Sequence, residues 1–311
     1  MICDLNVVYP QTDFLVRPTA RDLAKLKGCL AVLEQLGYTH IALNFEPQWA
    51  TGSLNKQIPS DIRLLNPINI ETDFAEFEGR LKLYSRITLK VDDPSQCQNL
   101  TRFQQVFDLV AVEPQTERAL QLAITNLEID IITFNYKERL PCYLKHKTLG
   151  SAIEKGIHFE IKYSDLLESD SHARAQSISN VKQLIRASRS RGLICSSGIS
   201  SPDISRLRSC SDIANLLNLI GLDHNRSEQC FKDWSLKTLL SGRLRIKSYK
   251  QVVAVSGDES LIDNSLENKN WQASQKGVSV NAKMDVSSYK KRKADTAVDR
   301  VTKKSKPETT V

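Results

Sequence analysis

A short apolar run followed by a helical pattern recurs along this chain, and few folds can absorb so regular an alternation. Ile2 to Tyr9 is the first apolar run. A helical pattern then begins at Thr19, places Leu23, Leu26, Leu30, Leu33 and Leu36 at spacings of three and four, and stops at Gly37 before the second run, His40 to Phe45. The same reading puts strands at 86–91, 109–112, 129–135, 159–163 and 193–197, and helices at 95–107, 116–126, about 147–155, 171–191 and within 202–219. Strands separated in this way by helices are parallel and joined by crossovers. Seven short strands of uniform character, with no Gly-x-Gly-x-x-Gly turn to seat a dinucleotide, predict an α/β fold of the TIM-like barrel type over a doubly wound sheet. Residues 223–244 read mainly as helix, so the closing unit of the barrel is imperfect.

The barrel is expected to occupy residues 1–250. From about Ser256 the sequence is dominated by Ser, Asn, Lys and Asp, apolar residues stand singly, and no periodicity survives, so 256–311 is expected to be a disordered tail. Residues 247–311 hold 13 Lys and Arg against 8 Asp and Glu, and the rest of the chain 30 against 28. The body is thus nearly neutral overall and any positive surface on it is local. Within the tail, Lys290, Lys291, Arg292 and Lys293, then nine residues, then Lys303, Lys304 and Lys306 have the spacing of a bipartite nuclear import signal. The alternative is a solvated basic tail that touches RNA without specificity.

The seven cysteines, at 3, 29, 97, 142, 195, 210 and 230, never form a Cys-x-x-Cys pair and suit neither a zinc knuckle nor a small disulfide framework. They are expected to be buried thiols in a reducing compartment. Met1 leads at once into a strand-like run, and no stretch approaches the ~20 apolar residues of a membrane span. These features predict a soluble intracellular protein.

One unit stands out. Between the strands at 159–163 and 193–197, the crossover from Ser171 to Arg191 contains no acidic residue and carries Arg174, Lys182, Arg186, Arg189 and Arg191. A helix that merely covers a sheet can alternate signs on its exposed face, whereas a single-sign face raises the local potential and attracts a polyanion. Lys182, Arg186 and Arg189, at spacings of four and three, share one side of the helix. Lys137 and Arg139, with Lys145 and Lys147, form a second basic group in the preceding unit, and Arg206, Arg208, Arg243, Arg245 and Lys247 a third. The alternative for each is a solvated face.

Barrel chemistry sits where strands end at their carboxyl side. The residues placed there are Asp4, Asn6, Glu46, Asp92, Asp93, Glu113, Asn135, Glu160, Ser196 and Ser197. Their carboxylates leave open a metal-dependent phosphoesterase with an atypical carboxylate site. Against it, the five histidines (40, 146, 158, 172 and 224) are scattered and none forms His-x-His. No Gly-x-Ser-x-Gly elbow or Walker loop is present either. No catalytic residue and no metal ligand is therefore expected in this chain.

Several segments carry a family resemblance. Asp4-Leu5-Asn6, Leu36-Gly37-Tyr38, Ile41-Ala42-Leu43-Asn44 and the run Asp108 to Val112 followed by Pro114 look like the thirty-kilodalton protein subunit of eukaryotic and archaeal ribonuclease P, shared in eukaryotes with ribonuclease MRP. So do Lys137 to Pro141, Phe159 to Ser164 and Ser196-Ser197-Gly198, and the resemblance spans about 2–245. It implies a TIM-like barrel related to the PHP phosphoesterases with the metal centre missing, since Asp4-Leu5-Asn6 stands where those enzymes carry His-x-His. It also implies a subunit that cuts nothing itself. The ribonucleoprotein's RNA, using bound magnesium, removes the 5′ leader of precursor tRNA, and the MRP form processes precursor rRNA. The implied partners are those RNAs, precursor tRNA as substrate of the complex, a small ferredoxin-like subunit and the other proteins of the particles, in the nucleus including the nucleolus.

Overall fold

The computed structural model describes residues 1–14, 16–48, 58–59, 61, 64–92, 100–199 and 201–247. Asp93, Cys97 and both basic clusters of the tail lie outside these. The elements alternate as the sequence implies: β1 (Cys3–Val8), α1 (Ala20–Gln35), β2 (His40–Phe45), α2 (Ile70–Asp73), β3 (Lys82–Val91), α3 (Leu100–Gln104), β4 (Leu109–Pro114), α4 (Glu117–Thr125) and β5 (Ile131–Ile132). They continue with α5 (His146–Glu154), β6 (His158–Lys162), α6 (Tyr163–Leu166), α7 (Ser171–Ser188), β7 (Leu193–Ser196), α8 (Cys210–Ile220), α9 (His224–Gln229) and α10 (Asp233–Lys247). The seven strands pair in chain order, every pair parallel. Most boundaries shift by a few residues from the sequence reading, and among the strands two shift the most. β3 begins four residues before Arg86, and β5 keeps only two paired residues, with the Asp130 carboxylate at its start accepting from the Val110 amide at 2.9 Å in place of a backbone carbonyl.

Strand alternation sorts the side chains into two layers. Ile41, Leu43, Phe45, Val110, Val112, Phe159 and Ile161 face outward into the main core under the helices. Cys3, Leu5, Ala42, Tyr84, Leu109, Ala111, Ile131 and Ile194 fill the lumen as a separate cluster, completed by Leu239 of α10. In β1 the register slips between Asp4 and Val7, a bulge that lets Asn6 as well as Leu5 serve the lumen.

No eighth strand closes the barrel among the described residues. Between β7 and β1 the carbonyl of Cys230 accepts from the Cys195 amide (3.3 Å) and that of Phe231 from the Cys3 amide (2.9 Å). Higher up the seam, the Asp4 carboxylate accepts from the Ser197 amide at 3.0 Å and Val7 bridges Ile199. These groups satisfy edges that an eighth strand would otherwise pair.

α10 plugs the end of the barrel where the strands begin. Leu239 enters the lumen with Trp234 and Leu236 beside it, and Arg245 pairs with Asp130 at 2.6 Å. The helix comes so close that a Cβ on Gly242 would lie 2.2 Å from the Asp108 carbonyl oxygen, which leaves room only for glycine. Two neutral histidines are buried at this junction. His40 stacks on Tyr84 with ring centres 6.0 Å apart, and His158 lies 5.8 Å from Trp234. Burial pushes both imidazoles down to about 4, helped by Lys82 beside His40 and Lys237 beside His158. The unfolded chain would protonate them near ~6.5, so it binds more protons than the fold at any pH between the two values, and stability falls as pH drops through that window. We expect urea unfolding to show a loss of roughly 1–3 kcal/mol per histidine between pH 7 and 4. The loss should shrink in a His40→Gln/His158→Gln variant; an undiminished loss would place the acid sensitivity elsewhere.

Candidate nucleic-acid interface

α7 is built to present one face. Asp170 caps it, its carboxylate accepting from the amides of His172 (3.2 Å) and Ala173 (3.1 Å). Ser177, Asn180, Val181, Leu184, Ile185 and Ser188 turn inward, and Asn180 fastens the preceding unit by donating to the carbonyls of Tyr136 (2.9 Å) and Glu138 (2.7 Å). Lys182, Arg186 and Arg189 are left exposed along the outer side, with Arg191 just past the end. None of these four makes an ion pair among the described residues. Arg174 is exposed too, but folds back onto the Glu168 carbonyl at 3.0 Å.

The helix ends in an unusual way. Arg189 and Ser190 both take positive φ, 55° and 58°, without being glycine. Arg226 of α9 explains how this is held: its guanidinium donates to the carbonyls of Arg189 (2.8 Å) and Ser190 (3.2 Å). It thereby adds a fifth exposed cation to the end of the stripe. Sequence reasoning missed Arg226, whose only signal was its charge.

The other basic groups divide. Lys137 is half-buried and pairs with Glu168 (2.6 Å) and Asp165 (3.8 Å), while Arg139 stands exposed beside it. Hydrogen bonds from Lys137 and from Arg206 hold the Glu168 carboxyl down at about 2. Lys145 pairs with Glu117 at 3.7 Å, and Lys147 is exposed. Arg206 also meets Asp203 at 3.8 Å, and Arg208 turns back to the carbonyls of Ser205 and Leu207. Arg243 covers the Tyr84 ring at 5.2 Å and Arg245 holds Asp130. The third group therefore includes two arginines that serve the barrel plug.

The glutamates at the strand ends are answered by the chain's own cations. Glu160 and Arg86 are both fully buried in the lumen and paired through two 2.6 Å contacts. Arg86 also donates to the Leu5 carbonyl at 2.7 Å, and Ser196 Oγ donates to Glu160 at 2.6 Å. Burial raises the Glu160 carboxyl, but the Arg86 charge and hydrogen bonds outweigh it and hold it below its ordinary value. Beside this pair Thr88 Oγ1 donates to Asn44, whose amide donates to Asn6, each at 2.8 Å. Glu113 meets Lys162 at 3.8 Å and Glu46 meets Lys90 at 3.2 Å. Asn135 caps the Lys137 amide. Asp4 lies in the seam, its carboxyl raised by burial against the opposing hydrogen bonds of Ser197 and Asn6. Among the described residues no three of His, Cys, Asp and Glu assemble as a metal site. A guanidinium already stands where a lumenal carboxylate would look for a cation, so the donor set does not fit the phosphoesterase alternative.

Residues 1–247 match the family described as RNase P subunit p30. In Saccharomyces cerevisiae the ribonuclease P/MRP protein subunit RPP1 is 43% identical over 259 residues, which cover 83% of this chain and 86% of that one. In Schizosaccharomyces pombe the probable ribonuclease P protein subunit 3 is 33% identical over 254 residues, covering 81% and 98%. A chain of the cryo-EM structure of archaeal ribonuclease P with mature tRNA superposes with a TM-score of 0.59 over 83% of this chain and 99% of that one; at 13% identity this speaks for the barrel fold alone. This chain belongs to the RNase P subunit p30 family.

Proposed function

We propose that the chain is a non-catalytic, RNA-binding protein subunit of the ribonuclease P and ribonuclease MRP particles, supporting 5′-leader removal from precursor tRNA and processing of precursor rRNA. The observation that carries this reading is the exposed, acid-free stripe of α7 on a barrel whose strand-end glutamates, Glu46, Glu113 and Glu160, are already paired with Lys90, Lys162 and Arg86. Such a surface binds a polyanion and has no group poised to cut one. Arg174, Lys182, Arg186, Arg189 and Arg191 make the RNA contacts, with Arg139 and Lys137 extending them. The cutting is done by the particle's RNA with the magnesium bound to it. A small ferredoxin-like subunit is the protein neighbour. The particle works in the nucleus, including the nucleolus, with import directed by Lys290 to Lys293 and Lys303, Lys304 and Lys306, which lie outside the described residues.

Tagging the full chain in cells, purifying it and sequencing the RNA that comes with it tests this reading. We expect the RNAs of ribonuclease P and ribonuclease MRP to dominate, with precursor tRNA at lower level. Recovery should fall steeply as salt is raised, because phosphate contacts release counterions. RNA recovered only in proportion to its cellular abundance would count against the proposal.

A further inference from the structure

The face of α7 limits the kind of RNA it can take. Ser171 to Arg191 contains no Phe, Tyr or Trp, and the exposed positions between Arg174 and Lys182 are small, Ala175 and Ser179. Proteins that hold single strands rely on aromatic platforms on which bases stack, and the one ring on α7, His172, lies ten residues and about 15 Å of helix axis before Lys182. In an A-form duplex the major groove is too deep and narrow for side chains to read, and the shallow minor groove is recognised mostly by shape and by its 2′-hydroxyls and phosphates. What such a face can grip is phosphate and sugar. The row from Lys182 to Arg189 is rigid and spans about 10 Å of helix axis, and Arg226 is fixed at its end by the carbonyls it caps. No other hydrogen bond of the Arg226 guanidinium is made among the described residues. A rigid row of cations is matched by a partner whose phosphates are already held in rows, whereas a flexible strand must first be ordered along it.

Resting on the RNA-binding reading above, we propose that α7 and Arg226 form a site for the sugar–phosphate backbone of double-stranded RNA, independent of its sequence. Cations in the last turn also complement a helix's carboxyl end, but Lys182 lies outside that turn, so a capping role does not account for the whole stripe.

The test uses the full chain and three probes: two 20-base-pair RNA duplexes of unrelated sequence and a 20-nucleotide oligo-uridine. Affinities are measured across a salt series for the native chain, for Lys182→Glu/Arg186→Glu, and for that pair combined with Arg226→Gln. The pair is included alone because Arg226 also caps α7, and thermal unfolding checks that each variant is folded. We expect both duplexes to bind equally and more tightly than oligo-uridine. The variants should lose about tenfold or more on duplexes, with a salt slope lower by roughly 0.9 per lost contact, and little on oligo-uridine. Equal or tighter binding of oligo-uridine, or duplexes that differ by more than about tenfold, would overturn the duplex inference while leaving RNA binding intact. Variants that keep every RNA affinity and slope but no longer capture an acidic protein subunit would overturn both.

Discussion

Arg86→Met should unfold this barrel more readily than almost any other single substitution. The native guanidinium makes two contacts to Glu160, one to the Leu5 carbonyl and one to Thr88 Oγ1 with no solvent access, so its removal strands a buried carboxylate with Ser196 as its remaining side-chain donor. Breaking a buried pair from one side costs about 3–5 kcal/mol, whereas replacing both partners by apolar groups of similar volume is often near neutral. In a domain of this size that corresponds to a fall in Tm of roughly 6–20 °C. The double variant Arg86→Met/Glu160→Met should recover more than half of it. Its Thr88, Asn44 and Asn6 neighbours remain bonded to one another, which limits the residual loss. Thermal and urea denaturation of both variants would check this. A loss under about 1 kcal/mol for Arg86→Met would mean that water or a rearrangement rescues Glu160, and the lumen would be less committed to its guanidinium than its geometry implies.

The second large effect lies on the surface. Lys182→Glu, Arg186→Glu and Arg189→Glu together reverse the exposed stripe without touching the buried face of α7. Lys182 and Arg186 are exposed helix positions, which accept Glu, and Arg189 is the left-handed cap beyond them, so the fold should be kept with a thermal transition lowered only modestly by acids at the helix's carboxyl end. Affinity for the particle's RNA should fall about a hundredfold or more, with the salt slope lower by roughly 2–3 for three lost contacts. In cells, precursor tRNA bearing its 5′ leader should accumulate. If the stripe serves an acidic protein instead, the triple variant will lose that partner while its direct RNA affinity and slope stay unchanged.

Much of the architecture was legible because its signals are local. The spacing of Leu23, Leu26, Leu30 and Leu33 predicts α1, and all but Leu23 of these are buried. The strand at His40 to Phe45 and the basic crossover at Ser171 fall where periodicity puts them. What escaped depends on distant pairing. Arg86 looked like the charged start of a strand, yet Tyr84, Arg86 and Thr88 alternate along the lumen face, and only the opposing Glu160, 74 residues on, makes that burial tolerable. The parity of Lys82 to Val91 was the one available hint. Arg243 and Arg245 read as surface charge because sequence does not show that α10 returns to the barrel floor at Tyr84 and Asp130. Arg226 joins the stripe across 37 residues, through carbonyls that carry no sequence signal at all. An imperfect closing unit was expected from the helical character of residues 223–244, but not that among the described residues the carbonyls of Cys230 and Phe231 would stand where an eighth strand would pair.

The central claim is that this barrel supports an RNA-based reaction and performs none. It is tested most directly by giving the purified, RNA-free chain precursor tRNA with magnesium, manganese or zinc, and then adding the particle's RNA and its other proteins. The account predicts no cleavage by the chain alone with any metal, and correct removal of the 5′ leader once the RNA is present. Metal-dependent cleavage by the chain alone, abolished by Glu160→Gln in a variant shown to be folded, would contradict it.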